Sequence, residues 1–304
     1  MTEPTQALAR KRALLLQRAA ILQKVRAFFI GQGYLEVETP HRIPANAPEP
    51  HIDAVPSGNW ALHTSPELAM KRLLAAGHEK IFQVCRVWRD GELGQHHLPE
   101  FSLLEWYRSG VGYLELMAEC KMLLMTLAPE GKLVRSGREI SLAGSWEDMT
   151  VAEAFSSYAS MSLARALETG CFEEVLTAEV EPHLGITRPT FLTEYPSALA
   201  ALARIKPGEP RVAERFELYI DGLELANAFS ELTDPLEQRE RFAADEKRRR
   251  AAGKRPYPLP ENFLNELSAM PEAAGIALGL DRLVLLLTGA ERIDDVVAFT
   301  PSEL

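Results

Sequence analysis

The stretch RVAERFELYIDGLELANAFSELTD, residues 211–234, decides more of the fold than any other. Asp221-Gly222 is a two-residue turn signal of the kind that closes β-hairpins. The flanking residues predict antiparallel strands over 211–220 and 223–230. A loop made of Asp221 and Gly222 pairs Ile220 with Leu223 and Tyr219 with Glu224, and sets Glu217 diagonal to Glu224 on one face. Two carboxylates so placed repel each other unless a cation lies between them. Mg²⁺, held by one or two carboxylates together with substrate phosphates, is the natural occupant. The alternative is a pair of acids on a solvent-facing sheet. Asn227 and Glu231 follow on the same strand. Strict alternation puts them on the face opposite Glu224, so a common site requires a bulge or twist near Leu225 and Ala226.

A second hairpin lies upstream, with strands predicted over 81–89 and 100–108 and a polar loop between them. Phe101, Leu103, Glu105 and Tyr107 share one face of its return strand, a mixture unlike an ordinary core. Arg89 ends the outgoing strand, where a guanidinium can hold a phosphate with two hydrogen bonds. The loop carries Glu92, His96 and His97, and two adjacent histidines are more often surface residues than ligands. A third segment, GIALGLDR at 275–282, runs from a small-residue strand into a helix opened by Arg282, whose N-terminus attracts phosphate. Its small residues let a flat ligand approach the backbone.

Elsewhere, apolar spacing predicts helices over 10–30, 66–76, 114–127 and 281–287, with Thr64 or Ser65 capping the second. A short strand is expected over 34–37, an extended proline-rich loop over 44–56, and helices with short connections over 130–190. Hairpins mixed with helices give an α+β fold, an antiparallel sheet flanked by helices. The chain has 304 residues, 46% apolar and 25% charged, both near the average for a soluble globular protein. Its apolar runs fall far short of the ~18 residues that span a bilayer, and Met1–Lys11 is too polar for a secretory signal. Cys85, Cys120 and Cys171 are unpaired in pattern, which fits a reducing compartment, the cytoplasm. Net charge is −10, against a large phosphate-backbone footprint. The one basic block, Lys247-Arg248-Arg249-Arg250, reads as a solvated helix face, with a partner contact as the alternative.

Taken in order, GYLEVETP (33–40), Arg89 with HLPEF (97–101) and LEWY (104–107), Glu217 with Glu224, Asn227 and Glu231, and Gly275 through Arg282 are similar to the three signature motifs of class II aminoacyl-tRNA synthetases. TSPEL (64–68) with Lys71-Arg72-Leu73, and NAFSELTD (227–234), resemble the lysyl branch. The resemblance covers nearly the whole chain as one catalytic domain, 1–304. The first motif begins so early that no anticodon-binding barrel is expected before it. A lysyl-type core alone, with Ala277 in the third motif, resembles the elongation factor P–lysine ligases.

That resemblance implies bound ATP and Mg²⁺. Arg89 and Arg282 would act on the α- and γ-phosphates, and Phe101 would stack on adenine. Asp90, Gly91, Glu92, Leu98, Leu225 and Gly279 would line the ATP site, with Glu217 and Glu224 on the metal. Ser65, Glu67, Tyr107, Asn227, Glu231 and Ala277 would form the amino-acid pocket, Glu231 facing the side-chain ammonium and Glu67 the reactive-end amine. The implied reaction is adenylation of lysine or (R)-β-lysine and transfer to a lysine of elongation factor P by a cytoplasmic homodimer, without tRNA or membrane. Three positions depart from the family pattern: Gly91 precedes Glu92 where a glutamate is usual, Leu98 replaces an asparagine, and Gln95 an arginine. A lysyl-tRNA ligase lacking the anticodon domain, a non-catalytic paralogue and a synthetase with a small-molecule amine acceptor are the alternative readings.

Overall fold

The computed structural model describes residues 3–135 and 137–304, so the first two residues of the Met1–Lys11 stretch lie outside it. In chain order the elements begin with α1 (Glu3–Gly31), β1 (Leu35–Glu36), β2 (Arg42–Ile43), β3 (Pro56–Ser57) and β4 (Trp60–Leu62). Then come α2 (Glu67–Ala75), β5 (Lys80–Trp88), β6 (Glu100–Ser109), α3 (Tyr113–Leu127), β7 (Lys132–Arg135), β8 (Arg138–Ser141) and β9 (Glu147–Thr150). The helices α4 (Val151–Tyr158), α5 (Leu163–Thr169) and α6 (Phe172–Val175) precede β10 (Thr190–Thr193), β11 (Arg215–Ile220) and β12 (Leu223–Ser230). The chain closes with α7 (Pro235–Ala251), α8 (Glu261–Glu266), β13 (Ala273–Gly279) and α9 (Leu280–Thr288).

An eight-stranded sheet in the order β1-β5-β6-β13-β12-β11-β10-β9 forms the centre. Its six central strands are antiparallel; only β1 against β5 and β9 against β10 run parallel. The fold is α+β, as the hairpins imply. One face carries Phe82, Leu104, Trp106, Phe216, Leu218, Ala226, Ala228, Ile276 and Leu278, all buried. These pack on Val25 and Phe29 of α1, Leu116, Leu123 and Leu124 of α3, and Leu283 and Val284 of α9. Phe29 lies 5.0 Å from both Phe82 and Trp106, ring centre to ring centre. Period-two alternation leaves the odd-numbered residues of β6 and β13 on the opposite face, where the site lies.

The turn at Asp221 and Gly222 has φ 55° and 70°, the two left-handed residues of a type I′ loop. Tyr219 pairs with Glu224 as expected, but Leu218 pairs with Ala226, leaving Leu225 as a one-residue bulge. This is the bulge that the sequence required. Glu217 therefore stands opposite Asn227, and Glu224, Asn227 and Glu231 come to one side of the sheet.

Four expectations need correction. Residues 130–190 hold three strands as well as helices: β7 and β8 pair as a hairpin near Gly137, and β9 joins the main sheet beside β10. These strands are four residues each, too short for their alternation to register, and β9 finds its partner some forty residues downstream. The first-motif strand has only two residues, because it is an edge strand followed by a loop. Ser65 takes the Glu67 N–H on its Oγ at 2.9 Å, yet the residue bordering α2 is Pro66. The basic block is not wholly solvated. Arg249 is fully buried, donating to the Glu49 and Ile52 carbonyls at 2.7 Å, pairing with Asp53 at 2.7 Å and lying over the Tyr257 ring. It ties the loop 44–56 to α7, whereas Arg248 and Arg250 keep about 60% of their side chains in solvent.

Candidate active site

The exposed-side face of the sheet divides into a cationic half and an acidic half. In the cationic half Arg89 follows β5 and its guanidinium lies 5.1 Å over the Phe101 ring. It donates to the Thr64 carbonyl at 3.4 Å and approaches Glu92 at 3.8 Å. Arg282, in the first turn of α9, donates to the Glu224 carbonyl at 2.6 Å and to His97 Nε2 at 2.6 Å, with Glu224 Oε2 at 3.4 Å. Burial, together with the Arg282 and Arg89 guanidiniums, pushes the His97 imidazole down to about 4. It is neutral and accepts, so this histidine is a partner of the site and not a bystander. His96 does the same for Arg135 at 3.1 Å.

Glu217 lies at the back, its carboxylate taking hydrogen bonds from Tyr195 at 2.5 Å, Tyr219 at 2.7 Å, Arg215 at 2.7 Å and Asn227 at 3.0 Å. Burial and then the Glu224 carboxylate raise its pKa. Arg215 and Arg282 offset part of the repulsion between the two carboxylates and a divalent cation would relieve the rest, so the pair fits Mg²⁺. Half-exposed Glu224 is the more open carboxylate of the two, because four donors already occupy Glu217.

The acidic half is built on α2, β6, β12 and β13. Lys71 Nζ joins Glu67 Oε1 at 2.6 Å and Glu231 Oε2 at 2.5 Å. Burial works against its charge, but Glu231 and Glu67 outweigh it and hold the pKa above its ordinary value. Ser65 Oγ donates to Glu105 at 2.6 Å and Tyr107 donates to the other oxygen at 2.8 Å. Burial, then the Glu67 carboxylate, pushes Glu105 up to about 8. Glu231 Oε1 is buried with no hydrogen-bond partner among the described residues. So is Asn227 Oδ1. Gly275 makes this packing possible: a Cβ there would overlap the Tyr107 ring and Glu231 Oε1. Ala277 lies between Glu105 on β6 and Asn227 on β12.

Of the expected site residues, Arg89, Phe101, Glu217, Glu224, Gly279 and Arg282 lie in one half, and Ser65, Glu67, Tyr107, Asn227, Glu231 and Ala277 in the other or at the join. Two side chains stand apart: Leu98 and Leu225 are buried in the helix-side core, so only their backbone is available to a ligand. Asp90 and Gly91 are exposed turn residues after β5, Asp90 N–H bonding the Asp53 carbonyl at 2.6 Å. Lys71, Glu105, Arg215 and Tyr195 were not assigned from sequence. Lys71 is four residues from Glu67 and Arg215 two from Glu217, so helical and strand periodicity placed them within reach. Tyr195 arrives from the loop after β10 and carries no local signal.

A family model described as tRNA synthetases class II (D, K and N) matches residues 7–303. The chain belongs to the class II tRNA synthetases. A curated relative in Salmonella gallinarum, named elongation factor P–(R)-beta-lysine ligase, is 41% identical over 308 residues and covers 94% of each chain. Relatives of the same name in Salmonella typhi and Salmonella paratyphi B are 40% identical over 306 residues, again with 94% of each chain. No helix among the described residues is long and apolar enough to cross a membrane.

The packing at Gly275 yields a prediction. Gly275→Ala forces Tyr107 and Glu231 apart and lowers stability by about 1–3 kcal/mol, as overpacking does; chemical denaturation reads the shift, and an unchanged midpoint would contradict the packing described.

Proposed function

We propose that the protein uses ATP and Mg²⁺ to convert (R)-β-lysine or lysine to its adenylate and then transfers the aminoacyl group to a lysine side chain of elongation factor P. The observation that carries this reading is the juxtaposition of two phosphate-type arginines, Arg89 and Arg282, with a pocket of three carboxyl groups, the buried Glu105 and Glu231 and the partly buried Glu67. A pocket so acidic suits an amino acid with two ammonium groups. The named function of the relatives supports the same substrate and acceptor. The amino-acid carboxylate attacks the α-phosphorus in line and pyrophosphate leaves. Arg89 stabilises charge on the α-phosphate and Arg282 charge on the γ-phosphate, while Phe101 offers a flat face to adenine. Mg²⁺, held by Glu224 and Glu217, would supply charge neutralisation on the phosphates. No protein nucleophile takes part. The unprotonated ε-amine of the acceptor then attacks the mixed anhydride, forming an amide and releasing AMP. That amine, pKa ~10.4 in water, loses its proton more readily when desolvated.

Incubation of elongation factor P with the protein, ATP, Mg²⁺ and (R)-β-lysine is expected to add the mass of one lysyl residue. Arg89→Ala should slow this by roughly a hundredfold or more, in line with loss of one charge-stabilising donor. Charging of tRNA, with elongation factor P unmodified, would identify a tRNA ligase instead.

Glu105 gives the pocket a pH dependence. With its pKa at about 8, and Glu231 also pushed up to about 8 by burial, the empty pocket holds a proton at neutral pH, and a dicationic amino acid expels it. KM for the amino acid is therefore expected to fall by roughly tenfold between pH 6.5 and 8.5. Glu105→Gln should flatten that slope; a slope that survives the substitution assigns the proton elsewhere.

The cytoplasm is the compartment in which such an acceptor is met, and 1–304 serves as one catalytic domain. Ile30 and Leu35, 60% and 51% exposed on either side of Gly33, support a homodimer formed through the first motif. Light scattering is expected to give twice the 33.8 kDa chain mass; a stable monomer removes this part of the proposal.

A further inference from the structure

Lys71 is a charged side chain placed where charge is costly, and the proposed reaction gives it no role. It lies on α2, one turn after Glu67, with only 2% of its surface exposed. Its ammonium has three N–H donors. One is donated to Glu67 Oε1 at 2.6 Å, Nζ forms an ion pair with Glu231 Oε2 at 2.5 Å, and the Phe229 ring lies 5.0 Å from Nζ. Two buried carboxylates and a ring face leave little of this ammonium to offer a ligand. Glu231, in contrast, is held only by the ion pair at Oε2; both its oxygens are buried without a hydrogen-bond partner among the described residues, and Oε1 lies over the Cβ-less Gly275. Glu67 likewise gives Oε1 to Lys71 and lines a narrow cavity with Asn46, Glu49 and Ser65. The lysine thus sorts the carboxylate oxygens into structural and available ones.

We propose that Lys71 is a positioning residue that sets the distance between the Glu67 and Glu231 carboxylates, and so selects diamino acids by the separation of their two ammonium groups. The inference rests on the reading that this pocket takes a lysine-type amino acid. Glu67 sits on a helix and Glu231 just beyond a strand, and Lys71 is the side chain that pairs with both carboxylates. A group that only neutralised charge would leave chain-length preference untouched. A group that fixes spacing would not.

The test is ATP–pyrophosphate exchange with lysine and with ornithine, which is one methylene shorter, in the wild type and in Lys71→Met. The wild type is expected to prefer lysine. In Lys71→Met the lysine-to-ornithine ratio of kcat/KM should fall by about tenfold, the scale of a methylene discrimination, chiefly through KM for lysine. KM for ATP should stay within about twofold, since Lys71 pairs with Glu67 and Glu231 and not with the phosphate-type arginines. A variant that keeps the wild-type ratio, whether its KM values are unchanged or rise together, overturns the proposal. Should Lys71→Met not fold, Lys71→Arg keeps the charge but alters the span, and the same change in ratio is expected; an unchanged ratio again overturns it. A wild type that exchanges with no diamino acid instead defeats the reading of the pocket, a failure visible before any variant is made.

Discussion

The site depends on one extra residue in one strand. Leu225 has no partner on β11, and the register of β12 shifts there by one position. Side chains on a strand alternate, so a one-residue shift exchanges the two faces from that point on. Leu225 and the following Ala226 and Ala228 enter the helix-side core, while Asn227, Phe229 and Glu231 join Glu224 on the other side. Without the bulge, Asn227 and Glu231 would be driven in among Phe216, Trp106 and Leu124, where each polar group left unpaired costs roughly 1–3 kcal/mol or more. The apolar and polar residues of 223–231 are satisfied together only in the bulged register.

The bulge also separates charge. Glu224, ahead of it, faces Arg282 and the cationic half; Asn227 and Glu231, beyond it, face the acidic half. β13 runs between β6 and β12, and its Gly275, Ala277 and Gly279 give both halves a low floor. Arginines at one end and carboxylates at the other suit a molecule that is anionic at one end and cationic at the other. A nucleotide joined to a diamino acid is such a molecule. Preformed and buried groups of this kind act more strongly than the same groups in water.

Much of this was legible in the residues. The two hairpins, α1, α3 and α9 all carry local periodicity or turn chemistry, and the need for a bulge followed from alternation alone. Less legible were contacts between distant segments. β9 is recognisable only by its pairing with β10. Arg249 looks like one member of a solvated basic run, and only the carbonyls of Glu49 and Ile52 explain its burial. The four donors around Glu217 come from β11, β12 and the loop holding Tyr195, and that loop shows no pattern of its own. Lys71 shows the same limit at shorter range: helical spacing brings it to Glu67, but its second partner, Glu231, is 160 residues away.

A crystal structure with a non-hydrolysable ATP analogue and lysine tests the central claim most directly, namely that the bulge assembles one face that holds both ligands. The account predicts the triphosphate between Arg89 and Arg282, adenine on Phe101, and the side-chain ammonium on Glu231 Oε1, with Lys71 still bridging Glu67 and Glu231. An amino acid bound away from Glu231, or a β12 register without its bulge at Leu225, would contradict it.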